Sequence, residues 1–171
     1  MTIYLFPTEL EARAFRALCP DARVVISGVG MAATAAAIAS LGCGRDDVVV
    51  LAGIAGAYGD SVAVGSVVEV VDEECVELPA RFRRTYKQSA PYTTLRSVRS
   101  NTVHTMQSDA HDAEIENMEG AALFAMAEVM GWRAVEVRAI SNRVGDSFGK
   151  WAVDEAVEAL ARELKRLEDE K

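Results

Sequence analysis

The sequence predicts an α/β fold, a three-layer α/β/α arrangement in which helices cover both faces of a central mixed, largely parallel sheet. Three observations carry this expectation. Apolar strand-length runs alternate with helical segments over the first five elements and again over the last three. The run Asp47–Ala52 is Val and Leu almost throughout, too apolar for a half-exposed strand and suited to one covered on both faces. Half of the 171 residues are hydrophobic while only 6% are aromatic, so the core is built from Ala, Val, Leu and Ile, and the length suits one domain over residues 1–171.

Taken in order, Thr2–Phe6 reads as a strand and Thr8 opens a helix running to about Leu18. Arg23–Ser27 is a second strand, and Gly28-Val29-Gly30 turns the chain into Met31–Leu41, nearly all Ala and read as a closely packed buried helix. After the central strand, Gly53-Ile54-Ala55-Gly56 reads as a turn where backbone approaches a ligand closely. Gly65–Val71 is a β-branched strand. Residues 72–100 carry Arg81, Arg83, Arg84 and Lys87 between Pro79 and Pro91 and read as a solvated loop or edge segment. Asn101–Thr105 and Glu114–Met118 are short strands, and Glu119–Met130 is a helix stopped by Gly131. Trp132–Ser141 is a strand, and Ala152–Leu167 is an amphipathic helix with Val153, Ala156, Val157, Leu160, Leu164 and Leu167 on one stripe. Trp151 is expected to pack that helix onto the sheet.

Composition narrows the function. A net charge of −8 disfavours a nucleic-acid partner. Three widely spaced cysteines without a C-x-x-C pair read as reduced thiols rather than a zinc site. No leader-like segment stands at the N-terminus, and apolar windows are broken well short of the ~18 residues of a membrane span, so a cytoplasmic protein is expected. Neither a full dinucleotide motif nor a P-loop is present.

Several separated segments, in order, carry a family resemblance. Leu10-Glu11-Ala12 follows the first strand, and Ile26-Ser27-Gly28-Val29-Gly30-Met31 precedes the Ala-rich helix. Ala52-Gly53-Ile54-Ala55-Gly56-Ala57 ends the central strand. Glu116-Asn117-Met118-Glu119-Gly120-Ala121-Ala122 and Arg138-Ala139-Ile140-Ser141-Asn142-Arg143-Val144-Gly145 complete the set. Together they resemble the nucleoside phosphorylase/nucleosidase superfamily, within it the methylthioadenosine/S-adenosylhomocysteine nucleosidase group, and most of all the futalosine hydrolases. The chain departs from the family pattern in being shorter, without a hairpin between the first helix and Arg23–Ser27 and without residues just before Glu114.

The resemblance implies a purine nucleoside phosphorylase-like fold and cleavage of the bond between a purine and its ribose. It implies no metal or organic cofactor, a small-molecule purine nucleoside as substrate, and a homodimer or larger homo-oligomer. Glu11 lines up with the family's water-activating glutamate; from its own context, Thr8-Glu9-Leu10-Glu11 also reads as a capping box. Glu119 lines up with the ribose-binding glutamate, though an acid at a helix start is also favoured by the helix dipole. Met118 is placed against the sugar, or is simply core, and Asn117 joins the substrate site with it. Asn142 stands where adenosine-type nucleosidases carry Asp; its amide is a donor that suits the acceptors of a 6-oxopurine, while an Asn ending a strand is also an ordinary turn residue. Ser141 supports it, and Gly30, Ile54, Ala55 and Gly56 supply backbone to the ligand. The turn at Gly28–Gly30 is where phosphorylases of the superfamily hold phosphate, but Arg45 lies beyond the following helix, which favours hydrolysis. His104 falls in a stretch that lines the pocket in relatives, though a lone His on a strand is more often structural.

Overall fold

The computed structural model describes residues 1–88, 90–107 and 109–170. Strand β1 (Thr2–Phe6) leads into helix α1 (Glu9–Leu18), strand β2 (Arg23–Ile26), helix α2 (Met31–Ser40) and the long strand β3 (Val48–Ala57). Next come β4 (Val67–Cys75), β5 (Thr85–Lys87), β6 (Arg96–Thr102) and β7 (Ile115–Asn117), then helix α3 (Gly120–Met130), β8 (Arg133–Arg143) and helix α4 (Val153–Asp169).

The sheet is mixed and largely parallel, as the alternation predicts. The pairs β1–β2, β1–β3, β3–β8, β4–β6 and β6–β7 are parallel, whereas β3–β7, β4–β5 and β4–β8 are antiparallel. Because β8 pairs with both β3 and β4, the strands β3, β8, β4, β6 and β7 close into a ring, with β1 and β2 extending one side. Two apolar cores flank the sheet. One gathers Leu5, Leu51, Ile115, Leu123 and Trp132 under α2 and α3, and the other gathers Tyr4, Phe15, Val137, Leu160 and Leu164 under α1 and α4. Every residue of β3 from Val49 to Gly53 is buried, as its all-apolar sequence requires.

Four expectations need correction. Residues 72–100 are not a loop: β4 continues to Cys75, and β5 and β6 follow. Of the basic residues that suggested a solvated segment, Arg81, Arg84 and Lys87 are exposed, but the acids Glu69 and Glu73 of β4 point inward and find partners. Glu69 accepts from the backbone N–H groups of Tyr92 and Thr93 and from the Gln88 amide, while the basic Arg96 and Arg99 face outward. Gly53-Ile54-Ala55-Gly56 is not a turn either, since β3 runs through it to Ala57, with an irregularity between Ala55 and Gly56. Helix α2 buries only Thr34 and Ile38, so its alanines cover one side of the sheet rather than sit inside the core. Finally, β6 spans Arg96–Thr102 where a strand over Asn101–Thr105 was expected.

Candidate active site

The site grows out of one feature of strand pairing. Strand β1 pairs with β3 as far as Leu5 opposite Leu51, and β7 pairs with the same strand from Gly56. Residues 52–55 therefore lie on a stretch of β3 edge between the two partners, and their backbone groups are available to side chains. Glu11 takes the vacated position: its Oε1 accepts from Ile54 N–H at 3.0 Å. The carbonyl of the same residue accepts from Arg138 Nη1 at 3.4 Å.

Thr8 starts α1 in extended conformation and caps it, its hydroxyl oxygen accepting from Glu11 N–H at 3.3 Å. The same hydroxyl donates to Glu11 Oε2 at 2.6 Å. The Thr8 half of the expected capping box is thus present, but the Glu11 carboxylate faces the cavity and the β3 backbone. Burial pushes its carboxyl above the ordinary carboxylate range, against the lowering pull of the Thr8 hydroxyl, the Ile54 N–H and Arg138.

Glu119 is reached by a different route. Asn117 ends β7 and its Oδ1 accepts from the N–H groups of Glu119 and Gly120, both at 2.8 Å, which caps the start of α3. This holds the Glu119 carboxylate inside the protein at 3% exposure. Its Oε1 accepts from Gly30 N–H at 2.9 Å and its Oε2 from Arg138 Nη2 at 3.2 Å. A helix-end acid serving only the dipole would face solvent; this one is fixed by a glycine backbone and a buried guanidinium.

Asn142 lies inside β8 rather than at a strand-end turn, and it is buried. Its Oδ1 accepts from the Ser141 hydroxyl at 2.8 Å and its Nδ2 donates to the Arg143 carbonyl at 2.9 Å. That leaves one amide hydrogen of Nδ2 uncommitted. Gly56 stands over it closely enough that a Cβ there would lie 3.1 Å from Nδ2.

These groups surround a cavity of about 370 Å³. Glu11, Ile54, Ala55, Gly56, Asn117, Met118, Glu119, Ser141 and Asn142 all line it, while Gly30 sits behind Glu119 and reaches the site through it. His104 lines the cavity next to Glu77, which its ring contacts. Trp151 also lines it, with its ring 5.1 Å from that of Phe148. The outer wall is apolar, with exposed Leu10, Val29, Met106 and Phe148. Arg45 packs beside Gly131 at the C-terminal end of α3, away from Gly28–Gly30. Among the described residues no group of three or more His, Cys, Asp or Glu side chains is arranged to hold a metal ion, and no helix is long and apolar enough to cross a membrane.

The largest omission from the sequence reading is Arg138. It is completely buried, its Nε donates to Glu136 Oε1 at 2.8 Å, and its Nη2 donates to Asn117 Oδ1 at 2.9 Å as well as to Glu119. Burial opposes its charge, but the carboxylates of Glu136 and Glu119 outweigh that and hold it firmly protonated. The signal was Glu136-Val137-Arg138: two opposite charges two residues apart share one face of a strand whose neighbours are all apolar. Gly53 was also misread. A Cβ there would lie 2.7 Å from Arg138 Nη1 and 2.8 Å from Glu11 Oε1, so this glycine makes room for protein side chains.

With this geometry in place, comparison with known proteins gives the family. The family profile described as the phosphorylase superfamily matches residues 69–169. The chain belongs to the phosphorylase superfamily. It is similar to the futalosine hydrolase of Thermus thermophilus, 45% identical over 56 residues, which is 32% of this chain and 25% of that protein. The match thus spans about a quarter of that curated relative. Among solved structures, a futalosine hydrolase mutant of Helicobacter pylori superposes with a TM-score of 0.82 at 14% identity, covering 99% of each chain. The 5′-methylthioadenosine/S-adenosylhomocysteine nucleosidase of the same organism, in complex with butyl-thio-DADMe-Immucillin-A, gives 0.83 at 13% identity over 99% of this chain and 98% of the other. These structures share the α/β fold with its central mixed sheet.

Proposed function

We propose that this protein is a nucleosidase that uses water to cleave the N-glycosidic bond of a purine nucleoside. One observation carries the reading: Glu11, Glu119 and Asn142, which arrive from α1, the start of α3 and β8, converge on one cavity with their bonding atoms already oriented. Water held by the Glu11 carboxylate attacks the anomeric carbon and passes a proton to that carboxylate. The bond to purine nitrogen breaks, and its electron pair leaves with the base. Glu119 accepts from the ribose hydroxyls, and Met118 packs on the sugar. The uncommitted N–H of Asn142 donates to the base as negative charge builds there. General-base help of this kind is worth about 10²–10⁴ in rate, and a well-placed donor adds a comparable amount.

The base is a 6-oxopurine, because a neutral amide fixed by Ser141 and Arg143 offers donation without a titratable proton. The preferred substrate is futalosine, cleaved to hypoxanthine and dehypoxanthine futalosine in a route to menaquinone, in keeping with the similarity to the Thermus enzyme. The position of Arg45 favours water over phosphate as acceptor. A second reading, an adenine-releasing methylthioadenosine or S-adenosylhomocysteine nucleosidase, draws on the apolar outer wall of Leu10, Val29, Met106 and Phe148, which suits a thioether at the 5′ position. That exposed wall also supports a homo-oligomer, in which a second copy covers it, and the protein is read as cytoplasmic. The test is purine release from futalosine, inosine and methylthioadenosine, each with and without phosphate. Phosphate-independent hypoxanthine release from futalosine is expected. Adenine release alone selects the second reading, strict phosphate dependence makes the enzyme a phosphorylase, and nucleoside binding without turnover marks a silent relative.

A further inference from the structure

Beneath the proposed ribose site lie ionisable groups that the reaction above leaves unused. Glu73 on β4 and Glu136 on β8 are both fully shielded from solvent. Their carboxyls meet at the start of α3, where Gly120 has no side chain: a Cβ there would collide with Glu73 Oε1 and Glu136 Oε2 together. The two carboxyls are close enough to hydrogen-bond one another.

Their other bonds are fixed. The carbonyl of Asn117 is taken by Glu119 N–H, Gly120 N–H and Arg138, so its amide nitrogen must point the other way, and it donates to Glu73 Oε1. The Thr102 hydroxyl accepts from Ala121 N–H at 2.8 Å, which directs its own proton to Glu73 Oε2 at 2.6 Å. Glu136 Oε1 accepts from Arg138 Nε. With both groups written as carboxylates, Glu136 Oε2 alone is left without a donor.

Charge points the same way. The charged neighbours are Glu119 ahead of α3 and Arg138 on β8, with Glu11 on α1 acting on Arg138; Ser100 and Thr102 on β6 and Asn117 on β7 are neutral. Among the described residues the one cation in this cluster is Arg138, already facing both Glu136 and Glu119. An ionised Glu73 would be a buried charge pressed against a like charge without a counter-ion, which proteins avoid by binding a proton. Burial, and then the nearby charge of Glu136, push the Glu73 carboxyl well above the ordinary range.

We propose that Glu73 and Glu136 hold one proton between them, with Glu73 a neutral acid donating to Glu136, and that this pair positions Arg138 against the ribose-binding Glu119. One proton supplies the missing donor and removes the unmatched charge together. The positioning half of this inference rests on the nucleosidase reading; the protonation half does not. Both acids are therefore positioning residues.

The test uses the whole protein with 13C-labelled glutamate, free of substrate, in isotope-edited infrared spectroscopy at neutral pH. A carbonyl band of a protonated carboxyl is expected, and Glu73→Gln, whose amide still donates to Glu136 but no longer accepts from Asn117, removes one carboxyl's intensity from it. Thr102→Val removes a donor to Glu73 and shifts that band, which keeps the assignment testable if Glu73→Gln fails to fold. In turnover, Glu136→Gln lowers kcat about tenfold or more with a smaller change in KM, and Glu73→Gln costs about threefold, the pattern of a group acting through another. A spectrum without a protonated band, or a band untouched by both variants, overturns the shared proton. A band that behaves as expected while Glu136→Gln turns over like the native protein overturns the positioning role. Absence of nucleosidase activity in the native protein, with the band present, refutes the reading of the reaction and leaves the proton in place.

Discussion

Adding one methyl group at Gly53 tests how the candidate site is built. The new Cβ would stand 2.7 Å from Arg138 Nη1, 2.8 Å from Glu11 Oε1 and 3.3 Å from Pro7 Cδ, where ordinary contact begins near 3.4 Å. The guanidinium must therefore retreat by about 0.7 Å and the carboxylate by about 0.6 Å, the differences between those distances and the contact limit. Arg138 has no free space, being completely buried among Glu136, Glu119 and Asn117, and Glu11 can give way only into the cavity it lines. The Ile54–Glu11 hydrogen bond, now 3.0 Å, lengthens to about 3.6 Å if the carboxylate moves along it, beyond the range of a real bond. Overpacking of this kind costs about 1–3 kcal/mol of stability. Misplacing a reacting group by a comparable distance costs up to about 10²-fold in rate. We expect Gly53→Ala to lose about 1–3 kcal/mol in urea unfolding and about 10- to 100-fold in kcat for purine release. Gly56→Ala, which meets Asn142 Nδ2 at 3.1 Å and Val144 Cγ2 at 3.3 Å, should be milder on both measures. A Gly53→Ala protein with native kcat and native stability would show that Glu11 and Arg138 are not held against β3 as described.

Asn142→Ala should lower hydrolysis by orders of magnitude, about 10²-fold or more, with the circular dichroism and melting temperature close to native; an unfolded variant would return Asn142 to a structural role. Glu11 titrates above the ordinary carboxylate range because it is buried, so kcat/KM should fall on acidification with a midpoint above that range, and in Glu11→Gln this limb should vanish rather than move. The same shift has a stability consequence. A carboxyl that binds its proton more tightly when folded stabilises the fold in acid, and that contribution is lost as pH rises through the raised folded value. Glu11→Gln should therefore be more stable than the native protein at neutral pH, with the gap closing as pH falls to the ordinary carboxylate range. Arg138→Met strands Glu136 and Glu119 without their counter-ion and should cost about 3–5 kcal/mol in chemical denaturation at neutral pH.

The fold class and most elements were legible because they follow from patterns local in sequence. The apolar run of β3, the Gly131 stop after α3 and the six-residue stripe on α4 each needed nothing beyond their own segment. The reading failed where it rested on surface charge. The basic run Arg81, Arg83, Arg84 and Lys87 made the chain beyond Val71 look like a solvated loop, whereas β4 runs on through buried Glu73, and the partners of Glu69 and Glu73 come from β6, β7, Gln88, Tyr92 and Thr93, which no local pattern announces. Glycine was misleading for a related reason. Gly53 sits where side chains from other elements crowd the backbone, and a turn was the simplest local interpretation. The proposed site residues came from segments matching a family; that Asn117 caps α3 is a contact local in sequence, whereas that Arg138 joins Ile54 to Glu119 depended on tertiary contacts.

The closed ring of β3, β8, β4, β6 and β7 has a bearing on how this protein assembles its candidate site. Glu11, Ile54, Arg138 and Glu119 are hydrogen-bonded in that succession, yet come from α1, β3, β8 and the start of α3, far apart along the chain. Pairings over such distances form late, after the entropy of large loops has been lost. A partly folded chain would hold helices and the β1–β2–β3 edge but no site, so regain of turnover during refolding should lag behind regain of secondary structure.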